Sequence, residues 1–253
     1  MKISKVFLIC GFTAIFSSAN ASDEVKFSSS AQQSVMIELF TSQGCSSCPP
    51  AENWLNSYID DRKLWHEIIP IAFHVDYWDR LGWPDPYANH AHSMRQYRHQ
   101  QQRHVRSVYT PGVLVNGQEW RGWIRGNDFP NLNTDAGILS FEADQNKLQV
   151  KYSKLSKDHV LNVVLLGVDI TTRVERGENR GKNLKQNFVV LSHDMYSASK
   201  SDKTGKWTLP LPKDISNNVQ RHALALWVSD IDDISPIQAT GYWLPSRWVV
   251  ATN

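Results

Sequence analysis

Cys45-Ser46-Ser47-Cys48 is the segment of this chain whose residue types and spacing are best suited to chemistry. A thiolate attacks disulfides far better than a thiol does, and a second thiol two residues away can resolve the mixed disulfide that forms. The remaining cysteine, Cys10, lies in a segment with the pattern of a cleavable export signal, so the pair is expected to stand alone in the mature chain. A bridge enclosing two residues restricts the unfolded chain very little, which argues for redox exchange or metal binding over a purely structural link. In a turn that leads into a helix, free amides and the positive end of the dipole lower the pKa of a thiol. Cys45 is therefore expected to be the attacking, more exposed sulfur, and Cys48 the resolving one. Pro49 and Pro50 lack backbone N–H groups, so the regular helix is expected to begin there, with the cysteines in its cap.

The elements around the pair follow from periodicity. Val35 to Phe40 is an apolar run of strand length, and Ala51 to Ile59 carries Trp54, Leu55, Tyr58 and Ile59 at helical spacing. Ile68 to Val75 is a second buried-strand run, so strand, helix and strand predict a parallel crossover with the cysteines in its first turn. An aromatic loop with Trp78 and Trp83 follows, then a helix from about Tyr87 to Arg106 with Ala91, Met94, Tyr97, Val105 and Val108 on its apolar side. Asn116-Gly117 between Val113-Leu114-Val115 and Glu119-Trp120 predicts a two-residue hairpin. From about residue 137 onward, strand-like runs divided by polar turns predict a β-rich, sandwich-like second domain over 137–253.

Lys2, Lys5, the apolar run Val6 to Phe16 and Ala19-Asn20-Ala21 predict a signal peptide over 1–21, cleaved after Ala21, and a periplasmic or secreted protein. No later stretch reaches the roughly 18 apolar residues of a membrane span, so no membrane insertion is expected after cleavage. Ser22 to Ser34 is serine- and glutamine-rich and is expected to be a flexible leader. With Lys2 and Lys5 set aside, basic and acidic side chains balance, and global charge gives no support for nucleic-acid binding. In an oxidising compartment the pair is expected as a disulfide, which needs no bound cofactor.

The strand Ile37 to Phe40, the Cys-x-x-Cys turn, the crossover to Ile71 to Val75 and the later Thr110-Pro111 step resemble a thioredoxin-like domain, here over 35–136 with a helical insertion before a cis-proline. The segments Glu38 to Ala51, Phe73 to Asp79, Leu81-Gly82-Trp83, Val108 to Pro111 and Arg176 to Leu184 resemble more closely the secreted thioredoxin-like family catalogued as domain of unknown function 1223. The resemblance implies an exported thiol-disulfide oxidoreductase acting on protein or small-molecule thiols and disulfides. It also implies that Pro111 lies against the cysteines and that Thr110, Trp78 and Trp83 form the substrate site. The helix that usually closes such a domain is expected to be short or absent, because Gly126 to Ala136 contains Pro130 and little periodicity.

Glu38 aligns with the buried acid that thioredoxins keep beneath their cysteines. In an apolar site its pKa would rise, and it could exchange a proton with Cys48; a buried ion pair is the competing role. His74 could stabilise the Cys45 thiolate as an imidazolium, or be hydrogen-bonded within the fold. Arg95, Arg98 and His99 fall together on a polar helix face, read as solvated. Ser46-Ser47 matches neither the Gly-Pro of reducing relatives nor the Pro-His of oxidising ones and leaves the direction of electron flow open. Two alternatives remain. The cysteines with His90 and His92, or with His74, could carry zinc or copper. Or the pair is a fossil bridge in a binding protein whose surface is the Arg176 to Leu184 loop.

Overall fold

The apolar runs Val35–Thr41 and Ile68–His74 become adjacent parallel strands in register from Val35↔Ile68 to Thr41↔His74, and everything at the site hangs from their C-terminal ends. The computed structural model describes residues 24–131, 133–214 and 219–249. The predicted signal peptide and its cleavage site lie outside the described residues.

In chain order the elements begin with β1 (Val25–Ser28), β2 (Val35–Thr41), α1 (Pro49–Asn56), β3 (Ile68–His74), α2 (His90–Gln101), β4 (Gly112–Val115) and β5 (Gln118–Glu119). They continue with β6 (Leu139–Ala143), β7 (Lys147–Tyr152), β8 (His159–Val168), β9 (Ile170–Arg173), β10 (Asn183–Gln186) and β11 (Val189–Ser197). Last come β12 (Lys206–Pro210), β13 (Arg221–Asp230), β14 (Pro236–Leu244) and the single turn α3 (Ser246–Val249). This is a mixed α/β protein dominated by sheet. An eight-stranded sheet runs β14-β13-β8-β11-β3-β2-β4-β5, a four-stranded sheet runs β1-β6-β7-β12, and β9 and β10 form a separate hairpin.

Period-two alternation decides which face of the large sheet each side chain serves. Leu161, Val163 and Leu165 of β8, with Leu224, Leu226 and Val228 of β13, pack against Leu139, Phe141, Leu148 and Val150 of the small sheet. Val164, Leu166, Ala223, Ala225 and Trp227 alternate with them and join the core around Met36, Leu39, Phe40, Ile71 and Phe73. The expected sandwich is thus present, but the expected units 35–136 and 137–253 are not separate bodies. β11 pairs in parallel with β3 at Val189↔Ala72, so one sheet and one core cross the boundary.

Two other expectations are corrected. The segment expected as a flexible leader is ordered from residue 24: β1 pairs with β6 from Val25↔Ala143 to Ser28↔Ser140, and Phe27 stacks on Tyr242 at 4.7 Å. Its apolar Val25 and Phe27 alternate with polar neighbours, a short strand signal that the surrounding serines obscure. α2 is shorter than predicted and turned over. It buries His92, Ser93, Arg95, Gln96 and His99 and leaves Met94 and Tyr97 exposed, because the groups beneath it are polar. The Asn116-Gly117 hairpin forms as predicted, with φ of 46° and 81° at its two turn residues. After Gly126 no α-helix precedes α3 among the described residues, only a short 3-10 turn over Ala198–Lys200.

A candidate redox site under a loop

Chain direction brings the cysteines to the carboxyl end of β2, where the open edge of an α/β sheet collects functional groups. Cys45 and Cys48 form a disulfide. α1 begins at Pro49 with Cys48 as its N-cap residue in helical backbone conformation, as the two prolines predict. Its first available amides, those of Ala51 and Glu52, are spent on the Cys48 carbonyl at 3.0 and 3.1 Å. Little amide potential is left over for a Cys48 thiolate.

Neither sulfur is exposed. Cys45 and Cys48 both have 0% relative exposure, so the expectation of a more accessible Cys45 is wrong. Ser46 and Ser47 form the surface above them. The cover comes from two places distant in sequence. Trp78 and Trp83 flank Gly44, where an added Cβ would meet Trp78 Cβ at 3.4 Å and the Trp83 carbonyl at 3.7 Å. The 174–182 loop between β9 and β10 closes the other side: buried Asn179 donates through Nδ2 to the carbonyls of Gln43 (2.9 Å) and Cys45 (2.8 Å). At its exposed tip Glu178 accepts the Ser46 amide at 3.0 Å. A loop that could have been a binding surface is therefore the lid of the disulfide.

Thr110-Pro111 is cis, as expected, and half-buried. Antiparallel pairing of Phe40 with Gly112 sets this step beside the strand end from which the cysteine turn leaves. Trp78 Nε1 donates to Thr110 Oγ1 at 2.7 Å, and Gln96 Nε2 holds the Tyr109 carbonyl at 2.7 Å. Trp78 thus touches Thr110, and both Trp78 and Trp83 lie at Gly44 beside the cysteines.

Of the two roles expected for Glu38, the structure gives it the buried ion pair. It is fully buried, but Arg95 Nε donates to its Oε2 at 2.6 Å and His99 Nε2 lies 3.4 Å away. The Arg95 guanidinium lies 5.4 Å from the Phe73 ring and 5.0 Å from that of Trp227. Burial alone would raise the carboxyl, yet the charge of Arg95, with help from His99, lowers it to about 2. A carboxylate held that low does not take a proton from a thiol near neutral pH. Arg95 and His99, read as solvated, are instead buried against it, Arg95 as its counter-ion and His99 as a hydrogen-bonding neighbour.

Beneath the cysteine turn lies a second polar cluster, built on His74, whose hydrogen-bonded role within the fold is the one it takes. His74 Nδ1 and Asp85 Oδ2 are 2.7 Å apart, with 1% and 0% side-chain exposure. Burial opposes the His74 charge, but Asp85 prevails and raises its pKa; burial likewise opposes the Asp85 charge, and His74 holds that carboxyl low. Asp85 Oδ2 also accepts the Gln43 amide at 2.8 Å. The Gln43 side chain accepts from Trp83 Nε1 (3.0 Å) and donates to Thr172 (3.1 Å) and Gln186 (2.8 Å). Gln186 then donates to Glu52 Oε1 at 3.0 Å, and Thr41 Oγ1 donates to the same oxygen at 2.6 Å. Glu52 had a local signal, since it follows Cys48 by one helical turn. Asn179 lay within the Arg176 to Leu184 segment already singled out, whereas Asp85 and Gln186 had no local signal.

The histidines of the metal alternative are engaged elsewhere. His90 pairs with Asp76 at 3.0 Å, and His92 Nδ1 meets the His74 carbonyl at 2.9 Å. Among the described residues no group of three or more His, Cys, Asp or Glu side chains is arranged to hold a metal ion.

Fold and site together define a mixed α/β protein with a lidded Cys-x-x-Cys disulfide at a strand end. The chain belongs to the family described as "Protein of unknown function (DUF1223)", whose pattern it matches over residues 36–229. A crystal structure of an Agrobacterium tumefaciens protein is similar at a TM-score of 0.55 and 21% identity, covering 85% of this chain and 95% of that one. HBP35 of Porphyromonas gingivalis aligns at a TM-score of 0.49 and 15% identity, over 89% of this chain and 79% of that one. No curated protein matches the chain.

Proposed function

We propose that this protein is an exported thiol-disulfide oxidoreductase of thioredoxin-like fold, whose Cys45–Cys48 disulfide exchanges with thiols of a protein or small-molecule partner and needs no bound cofactor. The observation that carries the reading is a closed Cys-x-x-Cys disulfide at the strand end and helix cap, beside the Thr110-Pro111 step. A partner thiolate attacks Cys45, the S–S bond breaks, and its electron pair leaves on Cys48. A second partner thiol then displaces Cys45, so the partner loses two electrons and the cysteine pair gains them. Trp78, Trp83 and Thr110 line the rim on which an extended substrate segment would lie. Transient opening of the 174–182 loop gives the partner access.

The test is Cys48→Ala, which removes the resolving sulfur. Exported extracts treated with this variant are expected to yield mixed disulfides on Cys45 that a reductant releases and that Cys45→Ser does not form. Absence of such adducts, together with full rescue of a deletion strain by a protein lacking both cysteines, would refute exchange as the function.

A further inference from the structure

Glu38 is locked in its ion pair, which leaves the Cys48 proton without an evident acceptor. We infer that Glu52 is the group that gives a proton to Cys48 on disulfide opening and takes it back on closure, with His74 and Asp85 as positioning residues; the assignment rests on the exchange function proposed above.

The geometry carries this. Cys48 already has helical backbone angles, and the Glu52 amide donates to its carbonyl at 3.1 Å, so the two residues are joined by a full helical turn. Side chains at i and i+4 share a face, and helical Cα–Cβ bonds tilt toward the N-terminus, which leans Glu52 back toward Cys48. Its two hydrogen bonds, from Thr41 and Gln186, converge on Oε1, leaving Oε2 to carry a proton. Glu52 is 5% exposed, and its neighbour His74 presents a buried Nε2 that has no hydrogen-bond partner among the described residues. A buried polar atom left without a partner is costly and calls for an explanation, and a charge that changes beside it during exchange supplies one. Burial raises the Glu52 pKa, while the His74 charge opposes that rise. The titratable groups around this centre are His74, Asp85, Tyr87 and His92.

The proton and electron count closes. A dithiol gives one proton to water and attacks Cys45 as thiolate; the S–S electron pair passes to Cys48, which takes the Glu52 proton. The Glu52 carboxylate then faces the His74 imidazolium. The dithiol's second thiol attacks its own sulfur in the mixed disulfide, Cys45 departs and takes up that proton, and water reprotonates Glu52. The dithiol becomes a disulfide and the protein a dithiol. Reverse flow retraces these steps, with Glu52 drawing the proton from Cys48. Because Pro49 and Pro50 remove two helix-start amides, the charge on Cys48 depends on a side chain.

The experiment is reduction of the oxidised full-length protein by dithiothreitol, followed by tryptophan fluorescence where the rate is linear in dithiol and so reports chemistry. Glu52→Gln is expected to slow reduction about 10²-fold, the low end for general acid-base catalysis, and to remove an inflection from its pH–rate profile. Glu52→Asp is expected to recover part of the rate. An unchanged Glu52→Gln rate and profile would overturn the Glu52 assignment alone. A wild-type disulfide that dithiothreitol does not reduce would overturn the exchange reading with it. In the wild type itself, the infrared spectrum of the oxidised protein at neutral pH is expected to show a protonated-carboxyl band; its absence overturns the assignment even if Glu52→Gln does not fold.

Discussion

Arg95→Ala is expected to destabilise the protein by about 3–5 kcal/mol, the cost of leaving a buried charge without its partner. Glu38 is enclosed on every side, and one of its oxygens, Oε1, has no hydrogen-bond partner among the described residues. Without Arg95, only His99 at 3.4 Å is left beside Oε2, and burial holds that imidazole toward its neutral form. The guanidinium also packs near Phe73 and Trp227, so the loss includes packing as well as charge. Urea denaturation at neutral pH measures the effect. A loss below about 1 kcal/mol, the range of a surface pair, would show that Arg95 is not the counter-ion this burial requires.

The same pair sets an acid limit. The Glu38 carboxyl lies near 2 in the fold against an ordinary value of 4.5, so its contribution is complete above about pH 4.5 and disappears as pH falls toward 2. At 1.36 kcal/mol per unit the contribution is about 3 kcal/mol. In Arg95→Ala burial is left opposed mainly by His99, so that stabilising component is expected to shrink or reverse, with part of the lost stability returning as pH falls and Glu38 takes a proton. Replacing both residues by methionine is expected to recover much of the stability, since removing a buried pair together is far cheaper than removing one member.

Asn179→Ala is expected to speed reduction of the disulfide by a small dithiol about 30-fold. The Asn179 amide is the buried link between the 174–182 loop and the cysteine turn, donating to the carbonyls of Gln43 and Cys45. Losing both bonds lowers the cost of opening by about 2 kcal/mol, and 1.4 kcal/mol corresponds to tenfold in the open population. Lys182 also donates to Asn179 Oδ1 at 2.9 Å, so the substitution loosens the loop from both ends. Glu178→Gln is the control: its bond to the Ser46 amide is exposed and is expected to change the rate little. Equal reduction rates for Asn179→Ala and wild type would mean that reagents reach the sulfurs by a route that does not involve this loop. An accelerated Asn179→Ala with unchanged chemistry in its pH profile would separate access from proton transfer.

What was legible in the sequence is what short-range chemistry dictates. The cysteine spacing, the prolines that delay α1, the apolar runs of β2 and β3, and the Asn116-Gly117 turn each act over a few residues, and each appears where it was expected. The strand-like runs expected beyond residue 137 likewise appear as strands, and β8 and β13, apolar along most of their length, are buried on both faces. Tertiary structure decided the charges and the cover. A sequence shows that Glu38 is acidic and Arg95 basic, but 57 residues separate them, and only the packing of α2 over β2 makes them a pair. That pairing turned a candidate proton acceptor into a fixed counter-ion and turned the polar side of α2 inward. It also left Glu52, with His74 and Asp85 contributed by β3 and the loop after it, as the titratable cluster beneath the cysteines. The lid depended on the same long-range geometry, since Asn179 reaches Cys45 across 134 residues. Burial and electrostatic energy depend on distance in space, and along most of this chain that distance is set by the eight-stranded sheet.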